Sequence, residues 1–135
     1  MPMKKALLYF GAVVPIIIGA AVYFICRPDT YVSHFLMRFI GGGINHLNVS
    51  QKFITCNLCD ALWSFSLTVT LYIVTEKPLA SFVISAVFST LIECSQLVPA
   101  LPGTFDFYDV IFQIAAHVVA IIFIIIVSGG KFNAT

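Results

Sequence analysis

The segment FYDVIFQIAAHVVAIIFIIIV, residues 107–127, decides the fold class of this chain. It is almost wholly apolar, and its length matches the roughly 20 residues with which a helix crosses a bilayer core of about 30 Å. Three more apolar segments of similar length cover residues 6–26, 53–75 and 79–98. The mean hydropathy of +1.02 is also far above what a soluble fold of 135 residues needs. The sequence therefore predicts an all-α, polytopic membrane protein, a four-transmembrane-helix bundle forming a single membrane domain over residues 1–135.

A shorter amphipathic pattern lies between the first two crossings. Val32, Phe35, Leu36 and Phe39 recur at helical spacing before a run of three glycines, which predicts an interfacial helix at about residues 30–40. A fifth, broken crossing is the alternative. It would place His34, Arg38 and His46 in lipid, where charged and polar side chains are costly.

The amino-terminal segment resembles a signal peptide, but its apolar run is too long for one, so we interpret it as a retained anchor. Counting Lys and Arg in the short loops favours both termini in the cytoplasm. The difference is one residue: Lys4, Lys5, Lys77 and Lys131 inside, against Arg27, Arg38 and Lys52 outside.

Polar residues interrupt three of the four crossings at related positions. The second helix begins on the side where the third ends and the fourth begins, so their polar ends share one leaflet whatever the orientation. Residues four apart share a helix face, and small residues mark the faces where membrane helices approach closely. Three rows are therefore predicted to point into one polar pocket: Asp60, Ser64 and Thr68 beside Trp63; Ser81, Ser85, Ser89 and Glu93; and Asp109, Gln113 and His117.

An acid within the bilayer is costly and usually faces a cavity or a partner. Because these helices contain no Lys or Arg, Asp60 and Glu93 are expected to share protons, stay neutral or use His117 as a partner. The structural alternative is that polar side chains hold the helices together through hydrogen bonds. It applies to Gln96, Gln113 and the serines, and Asp106 is equally suited to cap the fourth helix.

The region from "ECSQ" to the start of the fourth helix resembles the VanZ-like family of small bacterial membrane proteins. That family's pattern runs glutamate-x-x-glutamine, a proline-glycine-arginine turn, an aspartate, and a second aspartate that opens the last helix, followed by asparagine and glycine. Residues 57–63, NLCDALW, are also similar to the polar start of an earlier helix in that family. The matching positions are Glu93, Gln96, Pro102, Gly103, Asp106 and Asp109.

The chain departs from this pattern at Thr104, Gln113 and Ala116. Arginine binds phosphate or carboxylate through two parallel hydrogen bonds, whereas threonine does not, so an anion site in the family would be weakened here. The resemblance implies a protein of the bacterial cytoplasmic (inner) membrane and cell envelope, with a role in glycopeptide antibiotic tolerance or resistance.

Other kinds of site find little support. Cys56 and Cys59 have the spacing of a thiol-disulfide motif or half a zinc site, but cysteine at a lipid boundary also serves as a small apolar residue. We expect no metal and no cofactor. A net charge of +1 gives no reason to expect nucleic acid as a partner.

The sequence favours lipid binding, or binding of another amphiphile, in the polar intramembrane pocket. The alternatives are a noncatalytic accessory module that stabilises a membrane partner, an acid/base enzyme acting on a lipid-linked substrate, and a proton-coupled transporter, which would need to oligomerise. Catalysis is disfavoured because no nucleophile–base pair is visible. The predicted pocket consists of Asp60, Trp63, Glu93, Gln96, Asp106, Asp109, Gln113 and His117.

Overall fold

Four long helices make up almost all of the described part of the chain. The computed structural model describes residues 2–26, 49–98 and 105–129. The helices are α1 (Pro2–Cys26), α2 (Val49–Thr75), α3 (Pro78–Ser95) and α4 (Phe107–Ser128). Each is long and apolar enough to cross a membrane. The predicted all-α fold with four crossings is confirmed, and the chain is a multi-pass membrane protein. The predicted interfacial helix lies outside the described residues.

Local chemistry sets the turn between α2 and α3. Glu76 adopts a left-handed conformation with φ 56°, and its N–H donates to the carbonyl of Tyr72 at 2.8 Å. Pro78 then occupies the first turn of α3, where its missing N–H has no helical partner to lose. The predicted third crossing extends to Val98, but α3 ends at Ser95. Beyond it the N–H groups of residues 96–98 donate to carbonyls three residues back, which tightens the chain into a turn.

Both ends of α4 are capped. Asp106 is the N-cap, and its Oδ1 accepts from the N–H of Tyr108 at 2.9 Å. Gly129 ends the helix in the left-handed conformation with φ 80°. Lys4 Nζ donates to the carbonyl of Ser128 at 3.3 Å, so α1 begins at the end of the bundle where α4 finishes.

The helices pack in a diamond, with α2 and α4 in contact across its short diagonal. Each of these two also contacts α1 and α3, whereas the described parts of α1 and α3 do not contact each other. Gly11 permits the close approach of α1 to α4, since a Cβ there would lie 2.6 Å from Cε1 of Phe123. Because α1 and α3 stand apart, space is left between them.

The interior has an apolar part and a polar part. Ala12, Val69, Ala120 and Ile124 form a buried apolar cluster joining α1, α2 and α4. The inward-facing row predicted for α3 is confirmed, because Ser81, Ser85, Ser89 and Glu93 are all buried. Small and polar side chains therefore form the surface on which α3 meets its neighbours.

Candidate functional site

A cavity of about 490 Å³ lies between the helices, at the end of the bundle where α3 ends and α4 begins. This volume is within the range of about 300–1,000 Å³ that is typical of small-molecule sites. The second half of α1 and the first half of α2 form one part of the wall. The lining from these two helices includes Gly19, Ala20 and Tyr23 of α1 and Asp60, Trp63 and Ser64 of α2.

The other part of the wall comes from Phe88, Ser89 and Ile92 of α3 and Gln113 of α4. Since α1 and α3 do not touch in the described residues, the cavity occupies the gap between them. Trp63 is 59% exposed and Phe88 is 54% exposed, although both line the cavity. Both side chains lie on helices that are long and apolar enough to cross a membrane, so the cavity is bordered by side chains that would be exposed to lipid in a bilayer.

Gln113 is a cavity-lining residue whose side-chain oxygen is buried and makes no hydrogen bond to the described residues. Its side chain is only 6% exposed. An amide buried without a partner costs on the order of 1–3 kcal/mol, more than the hydrogen bond itself contributes. A ligand that bonds to Gln113 would recover that cost.

His117 lies one turn beyond Gln113 and is fully buried in a network of hydroxyls. Its Nδ1 lies 2.7 Å from Oγ1 of Thr68 and 3.3 Å from Oγ of Ser85, and its Nε2 lies 2.9 Å from Oγ of Ser89. Thr68 Oγ1 and Ser85 Oγ are themselves 2.8 Å apart. The imidazole therefore joins α2, α3 and α4 through side-chain hydrogen bonds at the middle of α4.

Glu93 forms a third group, at the junction of α3 and α4. It is 3% exposed, and its Oε1 accepts from the backbone N–H of Asp106 at 3.2 Å. Its Oε2 accepts from Nε2 of Gln96 at 3.3 Å. The carboxylate thus ties the end of α3 to the residue that caps α4, and it is not among the residues that line the cavity.

The structure places seven of the eight predicted pocket residues in three neighbouring groups, and Asp109 beside the third of them. Asp60, Trp63 and Gln113 line the cavity, and His117 belongs to the hydroxyl network. Asp109 lies in the first turn of α4, where its N–H donates to the carbonyl of Asp106 at 3.1 Å. The remaining three form the α3–α4 junction: Glu93, Gln96 and Asp106. Ser89 connects the first two groups, because it lines the cavity and bonds His117.

The sequence alone did not predict that α1 lines the cavity. Gly19 and Ala20 are adjacent small residues in a transmembrane helix, which is a signal for close helix approach. A Cβ at Gly19 would meet Cβ of Leu62 at 3.5 Å. Cys59 donates from Sγ to the carbonyl of Gly19 at 3.4 Å, which draws α1 and α2 together beside the cavity.

Within the described residues, no three or more His, Cys, Asp or Glu side chains are grouped closely enough to hold a metal ion. No protein-family model, curated protein or solved structure matches this chain. The resemblance to VanZ-like proteins remains a prediction, and the residues of its proline-glycine turn lie outside the described part of the chain.

Proposed function

We propose that this protein binds a membrane amphiphile, such as a lipid, in the cavity between α1 and α3. The observation that carries the proposal is the combination of a lipid-facing cavity of about 490 Å³ with the buried side-chain oxygen of Gln113, which makes no hydrogen bond to the described residues. Apolar walls suit a hydrocarbon tail, and a few placed polar groups fix a ligand's orientation. Because lipid-exposed side chains border the cavity, a bilayer-dissolved molecule has direct access.

Polar side chains that merely joined helices would satisfy one another, as those around His117 do. The Oε1 of Gln113 has no such partner among the described residues, as is also true of the buried Oγ of Ser66, but Gln113 lines the cavity and Ser66 does not. Its position at the cavity favours ligand binding over purely structural packing at Gln113. At Glu93, by contrast, the hydrogen bonds to Gln96 and Asp106 favour a structural role.

The proposed biological setting rests on the sequence resemblance alone. We infer from it a bacterial inner-membrane protein whose bound amphiphile belongs to the cell envelope, with glycopeptide tolerance as the phenotype to examine. Deleting the protein and measuring glycopeptide susceptibility tests that setting independently of the cavity.

Filling the cavity is expected to weaken binding strongly. Ala20 lines the cavity, whereas its neighbour Ala21 is exposed on the same helix. Ala20→Phe places a ring in the binding volume, so we expect the fraction of protein that retains an amphiphile to fall about tenfold, equivalent to roughly 1.4 kcal/mol. Native mass spectrometry of protein released from lipid nanodiscs measures that fraction.

Ala21→Phe is the matched control, because it adds the same ring to the lipid-facing side of α1. It should retain the amphiphile as the wild type does. Equal retention by wild-type protein and Ala20→Phe would contradict the proposed function, provided that both have the same melting temperature.

A further inference from the structure

The cavity also indicates which amphiphile it selects. Resting on the proposed function, we propose that the ligand carries an uncharged hydroxyl or amide group, which forms a hydrogen bond with the side-chain amide of Gln113. Gln113 is therefore the specificity-determining residue of the site.

The amide of Gln113 suits a group that both donates and accepts. Its Oε1 is buried and has no partner among the described residues; the same is true of Ser66 Oγ, but Ser66 does not line the cavity. The terminal torsion of a glutamine is broad, so either end of the amide can be presented to a cavity that the side chain already lines. A hydroxyl or a secondary amide can bond to whichever end faces it, whereas a hydrocarbon can bond to neither.

A second polar side chain of the cavity is already engaged. Ser89 bonds Nε2 of His117 and the carbonyl of Ala86. Gln113 differs from Ser89, because its buried Oε1 has no partner among the described residues. A ligand that enters the cavity can therefore gain a hydrogen bond at Gln113 without breaking the network around His117.

The depth of Gln113 along α4 favours an uncharged polar group on the ligand. Gln113 is six residues beyond Phe107, the first residue of α4, so its backbone lies about 9 Å along the helix from that end. A charged headgroup at this depth would lose its hydration, which is far more costly than burying a hydroxyl that makes a hydrogen bond. Zwitterionic and anionic lipids keep their headgroups at the interface instead.

The charge of the lining disfavours anions further. The described lining residues include the acid Asp60 and contain neither Lys nor Arg. A phosphate or fatty-acid carboxylate would therefore find no cation there, and it would be repelled by an ionised Asp60. Long-chain alcohols, acylglycerols with a free hydroxyl and N-acyl amides are the classes that fit.

The test compares oleyl alcohol with the matching hydrocarbon, cis-9-octadecene, in phosphatidylcholine nanodiscs. The two probes have the same tail, and only the alcohol forms a hydrogen bond. Trp63 is the one tryptophan of the chain and lines the cavity, so its fluorescence reports occupancy. The Ala20→Phe variant gives the background from simple partitioning into the bilayer.

We expect the wild type to bind the alcohol about tenfold more tightly than the hydrocarbon, the size of one net hydrogen bond. Gln113→Leu should bind the two probes equally. Gln96→Leu is the matched control, since it removes another glutamine that lies outside the cavity lining, and it should keep the tenfold preference.

The possible failures are distinguishable. Equal binding of the alcohol and the hydrocarbon by the wild type would overturn the hydrogen bond to Gln113 while leaving amphiphile binding intact. Tighter binding of oleylamine or oleate than of the alcohol would overturn the uncharged class. No saturable binding of any of the four probes would overturn the proposed function together with this inference.

Discussion

His117→Ala is expected to lower the free energy of unfolding by about 3 kcal/mol or more. Removing a fully buried ring leaves a cavity, and losses of about 3–5 kcal/mol are usual when large side chains are truncated to alanine in a core. The hydrogen bonds to Thr68 and Ser89 are lost as well. Each such bond within a membrane contributes about 0.6 kcal/mol on average. The lost ring also packs edge-on against Phe82, at a centroid distance of 6.3 Å.

The serines and the threonine limit the loss, because each keeps a backbone partner. Thr68 bonds the carbonyl of Ser64, and Ser89 bonds that of Ala86. His117→Gln, which retains a donor and an acceptor, should therefore be less destabilising than His117→Ala. Reversible unfolding in detergent micelles measures both. Val119→Ala, at an exposed position on α4, is the control and should change stability little. A loss in His117→Ala no larger than in that control would contradict the assignment of His117 to the core.

The second large effect is expected at the α3–α4 junction. Glu93→Leu removes both oxygens that accept from Asp106 and Gln96. The N–H of Asp106 is part-buried. Because both this bond and the bond to Gln96 are lost, and an unsatisfied polar group costs about 1–3 kcal/mol, we expect a loss of about 2 kcal/mol in the free energy of unfolding. Glu93→Gln keeps one acceptor oxygen and should cost less than half as much.

Gln96→Leu separates the two bonds of Glu93. It removes only the 3.3 Å bond between side chains and leaves the bond to the backbone of Asp106 in place. Its expected loss is below 1 kcal/mol, in the range of a single net hydrogen bond. Thermal unfolding of the three variants should show the largest loss of stability for Glu93→Leu. Glu93→Gln and Gln96→Leu should each lose less. A Glu93→Leu protein as stable as the wild type would refute the junction role.

Much of the fold follows from the sequence because lipid imposes one rule on all four segments. Every backbone N–H and C=O within the bilayer needs an internal partner, so an apolar segment of about 20 residues becomes a helix. Spacing by four also predicts the buried face of α3, since a serine row ending in Glu93 cannot face lipid cheaply. The end of α3 was less predictable, because hydropathy continues through Val98 after the helical hydrogen bonds stop at Ser95.

The candidate site was predictable by residue type and face, but not by partner. Helical periodicity places Glu93 and Gln113 inside the bundle, yet it does not show that Glu93 bonds Asp106 while Gln113 stays without a described partner. Whether these hydrogen bonds form depends on differences of a few tenths of an ångström in the separation of the helices. The role of α1 was hidden for another reason. Its cavity residues are small or aromatic and carry no charge that would mark them in a hydrophobic segment.

Photocrosslinking with a diazirine-tagged long-chain alcohol tests the central claim, that the cavity between α1 and α3 holds an amphiphile, most directly. With the diazirine in the tail, peptide mapping should locate crosslinks at cavity residues such as Ala20, Trp63 and Phe88. An excess of untagged oleyl alcohol should suppress them, and Ala20→Phe should lose them. Labelling spread evenly over exposed positions such as Ile17 and Val119, and unchanged by the competitor, would contradict the account.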